Sequence, residues 1–281
     1  MRTIESIHQM QIWSDAERRA TKRIALVPTM GFLHQGHLSL VREGRRRGDR
    51  LVVSIFVNPT QFGPREDLAA YPRDFERDQR LLEKERVDVL FHPTSAAMYP
   101  EGHQTYIDLE RLSSLLCGAF RPGHFRGVAT VLVKLFNIVQ PHVVIFGAKD
   151  YQQLQTARRM VQDLNFDIDV IGHPTVREED GLAMSSRNAY LNEEERRAAL
   201  SLYRSLKNAE SLVRSGEKQS RRIIHAVRVE IEKEPLARLE YARVCHPESL
   251  DEVEEIEGEA VLALAVWVGK ARLIDNTLLK C

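Results

Sequence analysis

Three stretches of the chain are apolar without alternation: Ile24-Ala25-Leu26-Val27, 51–57, and Val143-Val144-Ile145-Phe146. Unbroken apolar runs of this length, stopped by Pro, Asn or Gly, read as strands buried on both faces of a parallel sheet. Two shorter segments, Val87-Asp88-Val89-Leu90-Phe91 and Ile168-Asp169-Val170-Ile171, extend the series. Between them the pattern changes to helical spacing. Leu38, Leu40 and Val41 open a helix that runs to about Arg47. Phe75, Leu81 and Leu82 are the apolar members of a charged helix over 74–86, and further helices are expected over 128–140 and from about 150 to 164. Ile4, Ile7, Met10 and Trp13 predict a leading helix over 3–20. The resulting order, strands alternating with helices, predicts a parallel sheet with right-handed crossovers.

Beyond about residue 187 the pattern is different. Asn192-Glu193-Glu194-Glu195 reads as a capping-box start. Leu202, Leu206, Ala209 and Val213 trace one helical face that Gly216 ends, and Ile223, Ile224, Val227 and Ile231 line a second helix. Strands are expected over 239–244, 260–268 and 272–274. This predicts an α/β chain with a large first domain, 1–186, and a smaller C-terminal α+β domain, 187–281.

Composition narrows the class. Formal net charge is zero with 28% charged residues, which argues against a broad nucleic-acid or anionic-membrane footprint. No apolar run approaches the ~18 residues of a membrane span. Cys117, Cys245 and Cys281 are odd in number and scattered, so free thiols in a reducing cytoplasm are expected.

The chemistry-bearing residues cluster at strand ends. After the first run comes Pro28-Thr29-Met30-Gly31-Phe32-Leu33-His34-Gln35-Gly36-His37. In open α/β sheets that edge binds ligands, and the N–H groups of the following helix suit a phosphate. Gly31 can take positive φ, and Gly36 lets a nucleotide approach the backbone. His34 and His37 are three apart, on one side of a starting helix; alone, such a pair could be a metal pair or two ordinary surface histidines at a turn, and no Cys/His cluster nearby suggests a zinc site. Asn58-Pro59-Thr60-Gln61-Phe62-Gly63 follows the second strand. Asn58 suits a turn before proline, whereas Gln61 has no local task. Arg121-Pro122-Gly123-His124-Phe125-Arg126-Gly127 precedes a helix, either as an anion grip or as a flexible basic loop. Gly147, Ala148, Lys149 and Asp150 follow the fourth strand, with Gln153 one turn on. Asp78 is expected on a helix surface rather than beside magnesium, and Arg45-Arg46-Arg47 on a solvated helix end. Met184-Ser185-Ser186-Arg187-Asn188 is a small polar stretch that taken alone reads as a linker, although its donors and its arginine also suit a flexible clamp on a triphosphate. Donors and cations dominate this set, so the ligand is strongly anionic, and a nucleoside triphosphate with magnesium fits.

The histidine loop resembles the "HIGH" signature of the class I aminoacyl-tRNA synthetase and nucleotidylyltransferase superfamily, and 184–188 resembles the synthetases' "KMSKS" loop. In the forms found here, together with Asn-Pro-x-Gln-Phe, Arg-Pro-Gly-His-Phe-x-Gly, Gly-x-Lys-Asp and the ending Ala271-Arg272-Leu273-Ile274-Asp275-Asn276, they resemble the pantothenate synthetase family over nearly the whole chain. The one departure is Ala148, where the family usually has Glu or Gln. The resemblance implies a Rossmann-like parallel sheet and an ATP-dependent ligase that joins pantoate to β-alanine through pantoyl adenylate, releasing pyrophosphate and AMP. It implies that ATP is held by Met30, Gly31, Phe32, Leu33, His34, Gln35, Gly36 and His37, by Gly147, Ala148, Lys149 and Asp150, and by Val176, Met184, Ser185, Ser186 and Arg187. Within that set His34 and His37 would act on the phosphates, His37 as the acid, and Lys149, Ser185, Ser186 and Arg187 on the departing pyrophosphate. Gln61, Gln153 and Asn58 would bind pantoate and β-alanine. Magnesium accompanies ATP, with ligands the sequence does not identify. A cytoplasmic homodimer acting on small molecules, without nucleic acid or membrane, is the implied setting. Two other readings are a nucleotidylyltransferase, which would leave a stable nucleotide conjugate, and a silent nucleotide- or RNA-binding module.

Overall fold

The computed structural model describes residues 1–64 and 66–281. By their internal contacts these fall into two compact units. One comprises Met1–Ser113, Arg121–Ala148 and Gln153–Pro174; the other comprises Ser114–Phe120, Lys149–Gln152 and Thr175–Cys281.

The first unit holds a six-stranded, wholly parallel sheet. Its elements are β1 (Arg2–Ile4), α1 (Ile7–Arg19), β2 (Ile24–Thr29), α2 (Gln35–Arg47), β3 (Arg50–Ile55), α3 (Phe75–Lys84), β4 (Val89–Phe91), the single turn α4 (Ser95–Met98) and, past a single turn α5 (Cys117–Phe120) that belongs to the second unit, α6 (His124–Val139), β5 (Val143–Gly147), α7 (Tyr151–Asp163, from Gln153 onward) and β6 (Asp169–His173). The strand order is β1-β4-β3-β2-β5-β6. From β2 the chain winds outward through β3 and β4, then returns to place β5 on the other side of β2. The order therefore reverses between β2 and β5, and the crevice past their C-terminal ends is the place such a sheet offers a ligand.

Two sequence expectations need correction. The leading segment is not helical from residue 3: Arg2–Ile4 forms a strand paired with Val89–Phe91. Only Ile4 of the three is buried, so an edge strand this short leaves no apolar run to read. The first apolar run also does not stop at Pro28, because β2 continues to Thr29 and Pro28 pairs with Ser54 of β3. On its other side β2 pairs with β5 only at Ala25 and Leu26, so the missing proline N–H interrupts no ladder there.

The core of this unit packs α2 on the sheet. Leu33, Leu40 and Val41 meet Ala25, Val27, Val53, Val143 and Ile145, all buried. That burial fixes where α2 begins and hence where its first-turn histidines stand.

The second unit stacks α8 (Glu193–Arg214) and α9 (Ser220–Glu232) with a three-stranded antiparallel sheet, β7 (Ala237–Cys245), β8 (Glu259–Val268) and β9 (Ala271–Lys280), in the order β7-β8-β9. Leu202, Leu206, Ile223, Val227 and Ile231 from the helices pack with Leu262, Leu264, Val266 and Leu273. Asn192 caps α8 in a full capping box with Glu195. The segment 175–186 groups with this unit, ahead of the composition change near 187, because Leu182 joins its core and Arg177 pairs with Asp275. The three cysteines are free, and no helix among the described residues is long and apolar enough to cross a membrane.

Candidate active site

The turn after β2 is held by hydrogen bonds from outside it. Thr29 Oγ1 donates to the Ser54 carbonyl at 2.8 Å and accepts from Gly31 N at 3.2 Å. Gly31 has φ +84° and Phe32 φ +49°, a left-handed pair that suits glycine and strains phenylalanine. Asp78 stabilises it: its two carboxylate oxygens accept from Phe32 N at 2.6 Å and Leu33 N at 2.8 Å. Asp78 is only 1% exposed. The surface position expected from sequence does not describe it, because its oxygens accept from backbone N–H groups inside the fold. Burial pushes its carboxyl pKa up, against the opposing pull of those two N–H bonds and of Arg77.

His34 is the N-cap of α2, and His37 is its third residue. Gly36 N donates to His34 Nδ1 at 3.1 Å, and His34 N donates to His37 Nδ1 at 3.3 Å. An imidazole nitrogen that accepts carries no proton, so each neutral ring bears its hydrogen on Nε2. The capping box thus fixes both tautomers and makes both Nε2–H groups donors. The ring centroids are 4.0 Å apart, at a helix N-terminus that favours negative charge.

The turn after β3 stands beside this one. Pro59–Gln61 is a short 3₁₀ turn capped by Asn58. Asn58 Oδ1 accepts from Thr60 Oγ1 at 2.9 Å and Tyr99 Oη at 2.8 Å, while Nδ2 donates to Gln61 Oε1 and the Gly127 carbonyl, both at 3.1 Å. The polar atoms of Asn58 are all engaged within the protein, and their effect is to hold the Gln61 amide with its nitrogen toward Met30 Sδ, 3.2 Å away. Met30 and Gln61, 31 residues apart in sequence, are therefore neighbours.

The 121–127 segment is an internal brace rather than a flexible basic loop. Arg121 binds Glu66 through two nitrogens, at 2.8 and 2.5 Å, and Nη1 donates to His124 Nε2 at 3.2 Å. His124 Nδ1 in turn donates to the Gln61 carbonyl at 2.8 Å. Burial would raise the Glu66 carboxyl, but the hydrogen bonds and charge of Arg121 outweigh it, and its pKa is lowered. Gly127 is required here, since a Cβ would stand 2.4 Å from the Thr60 carbonyl oxygen. Arg126 lies over the Tyr106 ring at 4.2 Å. Gln153, on the first turn of α7, is half-buried, as are Gly147 and Ala148. Gln35 is exposed and Gly36 half-buried.

In the second unit, Lys149 and Asp150 share a short 3₁₀ turn, and their side chains are 3.5 Å apart. Met184 N donates to the Val176 carbonyl at 3.0 Å, which brings those two candidates together. Ser185 caps a 3₁₀ turn, Ser186–Tyr190, by accepting from Arg187 N at 3.3 Å. Asn188 ties that turn down through Glu178 Oε1 and the Ala183 carbonyl. Residues 184–188 are thus a braced turn, with Ser186 buried.

Sequence reading missed Asp78, Tyr99, Glu66 and Arg177 as parts of this framework. Asp78 did leave a signal: it falls on the apolar stripe of α3, between Phe75 and Leu82, where an unpaired charge is costly.

A family described as pantoate-beta-alanine ligase matches residues 2–278. A pantothenate synthetase of Syntrophus aciditrophicus is 55% identical over 276 residues, covering 98% of this chain and 96% of the relative. The crystal structure of pantothenate synthetase from Thermus thermophilus superimposes with a TM-score of 0.93 at 46% identity, over 99% of both chains. A pantoate-beta-alanine ligase from Francisella tularensis, complexed with beta-gamma ATP and beta-alanine, gives a TM-score of 0.81 at 32% identity, over 99% of this chain and 97% of that one.

Proposed function

The chain belongs to the pantoate–β-alanine ligase family, and from that premise we propose how its residues perform the reaction. The enzyme condenses pantoate with β-alanine in an ATP-dependent reaction. The chemistry runs in two displacements. A pantoate carboxylate oxygen bonds to the α-phosphorus of ATP as the bridging bond to the β-phosphate breaks, giving pantoyl adenylate and pyrophosphate. The β-alanine amine then bonds to the acyl carbon, AMP leaves, and loss of the amine proton gives pantothenate.

What carries this reading is the pair of imidazoles whose tautomers the α2 cap fixes as Nε2–H donors, past the end of β2 where the strand order reverses. Displacement at phosphorus asks for positioning and charge neutralisation more than covalent help. His34 and His37 donate to phosphate oxygens, with His37 as the acid. Lys149, Ser185, Ser186 and Arg187 stabilise the charge that develops on pyrophosphate. The backbone of 30–37, with Gly147, Ala148, Asp150, Val176 and Met184, completes the ATP contacts. Gln61 and Gln153 orient pantoate, and Asn58 acts by setting the Gln61 amide.

The donor set fits a triphosphate. Magnesium would accompany ATP, held at least in part by the phosphate oxygens, where it neutralises charge. The free thiols support a cytoplasmic location, neutral net charge supports small-molecule partners rather than nucleic acid, and a homodimer is the assembly expected from the resemblance.

Exchange of labelled pyrophosphate into ATP, with pantoate present and β-alanine absent, tests the adenylate step. Pantoate-dependent exchange is expected. Lys149→Ala and His37→Ala should each slow it on the order of a hundredfold to a thousandfold, the usual loss for one preorganised donor. A variant within a few-fold of the unmodified enzyme removes that residue from the mechanism, and absent exchange despite ATP binding favours a transferase.

A further inference from the structure

The ending Asp275-Asn276 has no part in the chemistry above, yet Asp275 is 3% exposed and fully engaged. Arg177 grips it with two nitrogens, Nη1 at 2.6 Å and Nη2 at 3.0 Å. The same Nη1 donates to the Gly181 carbonyl at 3.1 Å. Arg177 also pairs by backbone with Ala183, next to the Val176–Met184 hydrogen bond. One guanidinium therefore fixes the hairpin that delivers Ser185, Ser186 and Arg187. On its other side Asp275 Oδ1 accepts from Asn276 N at 2.8 Å. Asn276, itself 9% exposed, donates from Nδ2 to the Lys149 carbonyl at 2.8 Å. A single buried carboxylate at the middle of β9 thus reaches Lys149 by one route and the 185–187 turn by the other, all within the second unit.

We propose that Asn276, backed by the Asp275–Arg177 pair, is a positioning residue that sets the Lys149 backbone in register with the 185–187 turn. The proposal rests on the reading that Lys149 and that turn act on the departing pyrophosphate. Lysine is a point charge on a flexible four-carbon stem, so its ammonium is only as well placed as the backbone it hangs from. Catalysis by a charge at fixed geometry needs such a supporting shell. Asn276 supplies one neutral hydrogen bond at the root of that stem, and the bidentate pair keeps Asn276 itself from shifting.

The test is a double-mutant cycle between Asn276→Ala and Lys149→Ala, read by pantoate-dependent pyrophosphate exchange. Asn276→Ala should lower kcat about tenfold and leave KM for pantoate within about twofold, because Gln61 and Gln153 are untouched. In the Lys149→Ala background, where there is no ammonium to place, the same change should cost less than about twofold. An equal loss in both backgrounds, or no loss in the first, overturns the proposal and leaves Asn276 a purely structural residue. Thermal unfolding confirms that each variant is folded, and if Asn276→Ala does not fold, Asn276→Ser is read by the same two ratios. Absent exchange in the unmodified enzyme, or full exchange in Lys149→Ala alone, is a different failure: it overturns the reading of the site and the proposal with it.

Discussion

A carboxylate on the buried stripe of a helix has to be there for a reason, and at Asp78 the reason is the loop 45 residues away in sequence. Its two oxygens satisfy the N–H groups of Phe32 and Leu33, and this lets Phe32 sit in a left-handed conformation just ahead of His34. Asp78→Asn changes little in size but turns one acceptor into a donor. Either flip of the amide then points an NH₂ at a backbone N–H. Leaving one such group unsatisfied costs about 1–3 kcal/mol when buried. The variant should unfold at lower urea by that amount and lose about tenfold in pyrophosphate exchange, since the histidine loop loses its geometry. Unchanged stability and unchanged exchange would show that the loop holds its shape without Asp78. Asp275 is the same kind of residue in the second unit: a buried acid whose partner, Arg177, stands 98 positions away. Pairings at that range leave no local pattern, so the sequence showed these two acids without showing what they hold.

Elements were far more legible than their braces. Long apolar runs gave β2, β3 and β5, and helical stripes gave α3, α8 and α9, because burial on a face is written into the residues of the face itself. β1 escaped because a three-residue edge strand has only Ile4 to bury. The candidate residues at strand ends were legible for the same reason the strands were: turn chemistry follows directly on each run. What could not be read was the brace that joins the turn at 58–62, and Glu66 after it, to the segment at 121–127. It consists of the Arg121–Glu66 pair, the His124 bond to the Gln61 carbonyl, and the close approach of Gly127 to Thr60. This brace makes stability depend on pH with a definite sign. The Glu66 carboxyl is held below its ordinary value of 4.5, so its contribution is complete above that value and is lost as pH falls through the lowered one. Glu66→Gln should therefore cost about 1–2 kcal/mol at neutral pH. The gap to the unmodified enzyme should close in acid, where Glu66 itself takes up a proton. Urea titrations of both proteins at neutral and acidic pH measure this, and a gap that stays constant would mean that the ion pair contributes nothing.

At the scale of the whole molecule, each of the two units carries a buried apolar cluster of its own. One buries α2 against the parallel sheet and so places the histidines; the other buries α8 and α9 against β7–β9 and so places Asp275, Asn276 and the 185–187 turn. Regions with their own apolar cores open as their own cooperative units. Leu206, 1% exposed on α8, belongs wholly to the second core. Leu206→Ala should cost about 2–5 kcal/mol there, through lost transfer energy and the cavity left behind. Hydrogen exchange locates the damage. Amides of α8, α9 and β7–β9 that open with the unit should exchange at least about thirtyfold faster. Those of β2, α2 and β3, whose packing includes none of these residues, should keep their protection. Equal loss of protection in both sheets would show that the cores fold as one cooperative body, in which case a change in the second core would reach the histidine loop through global unfolding rather than spare it.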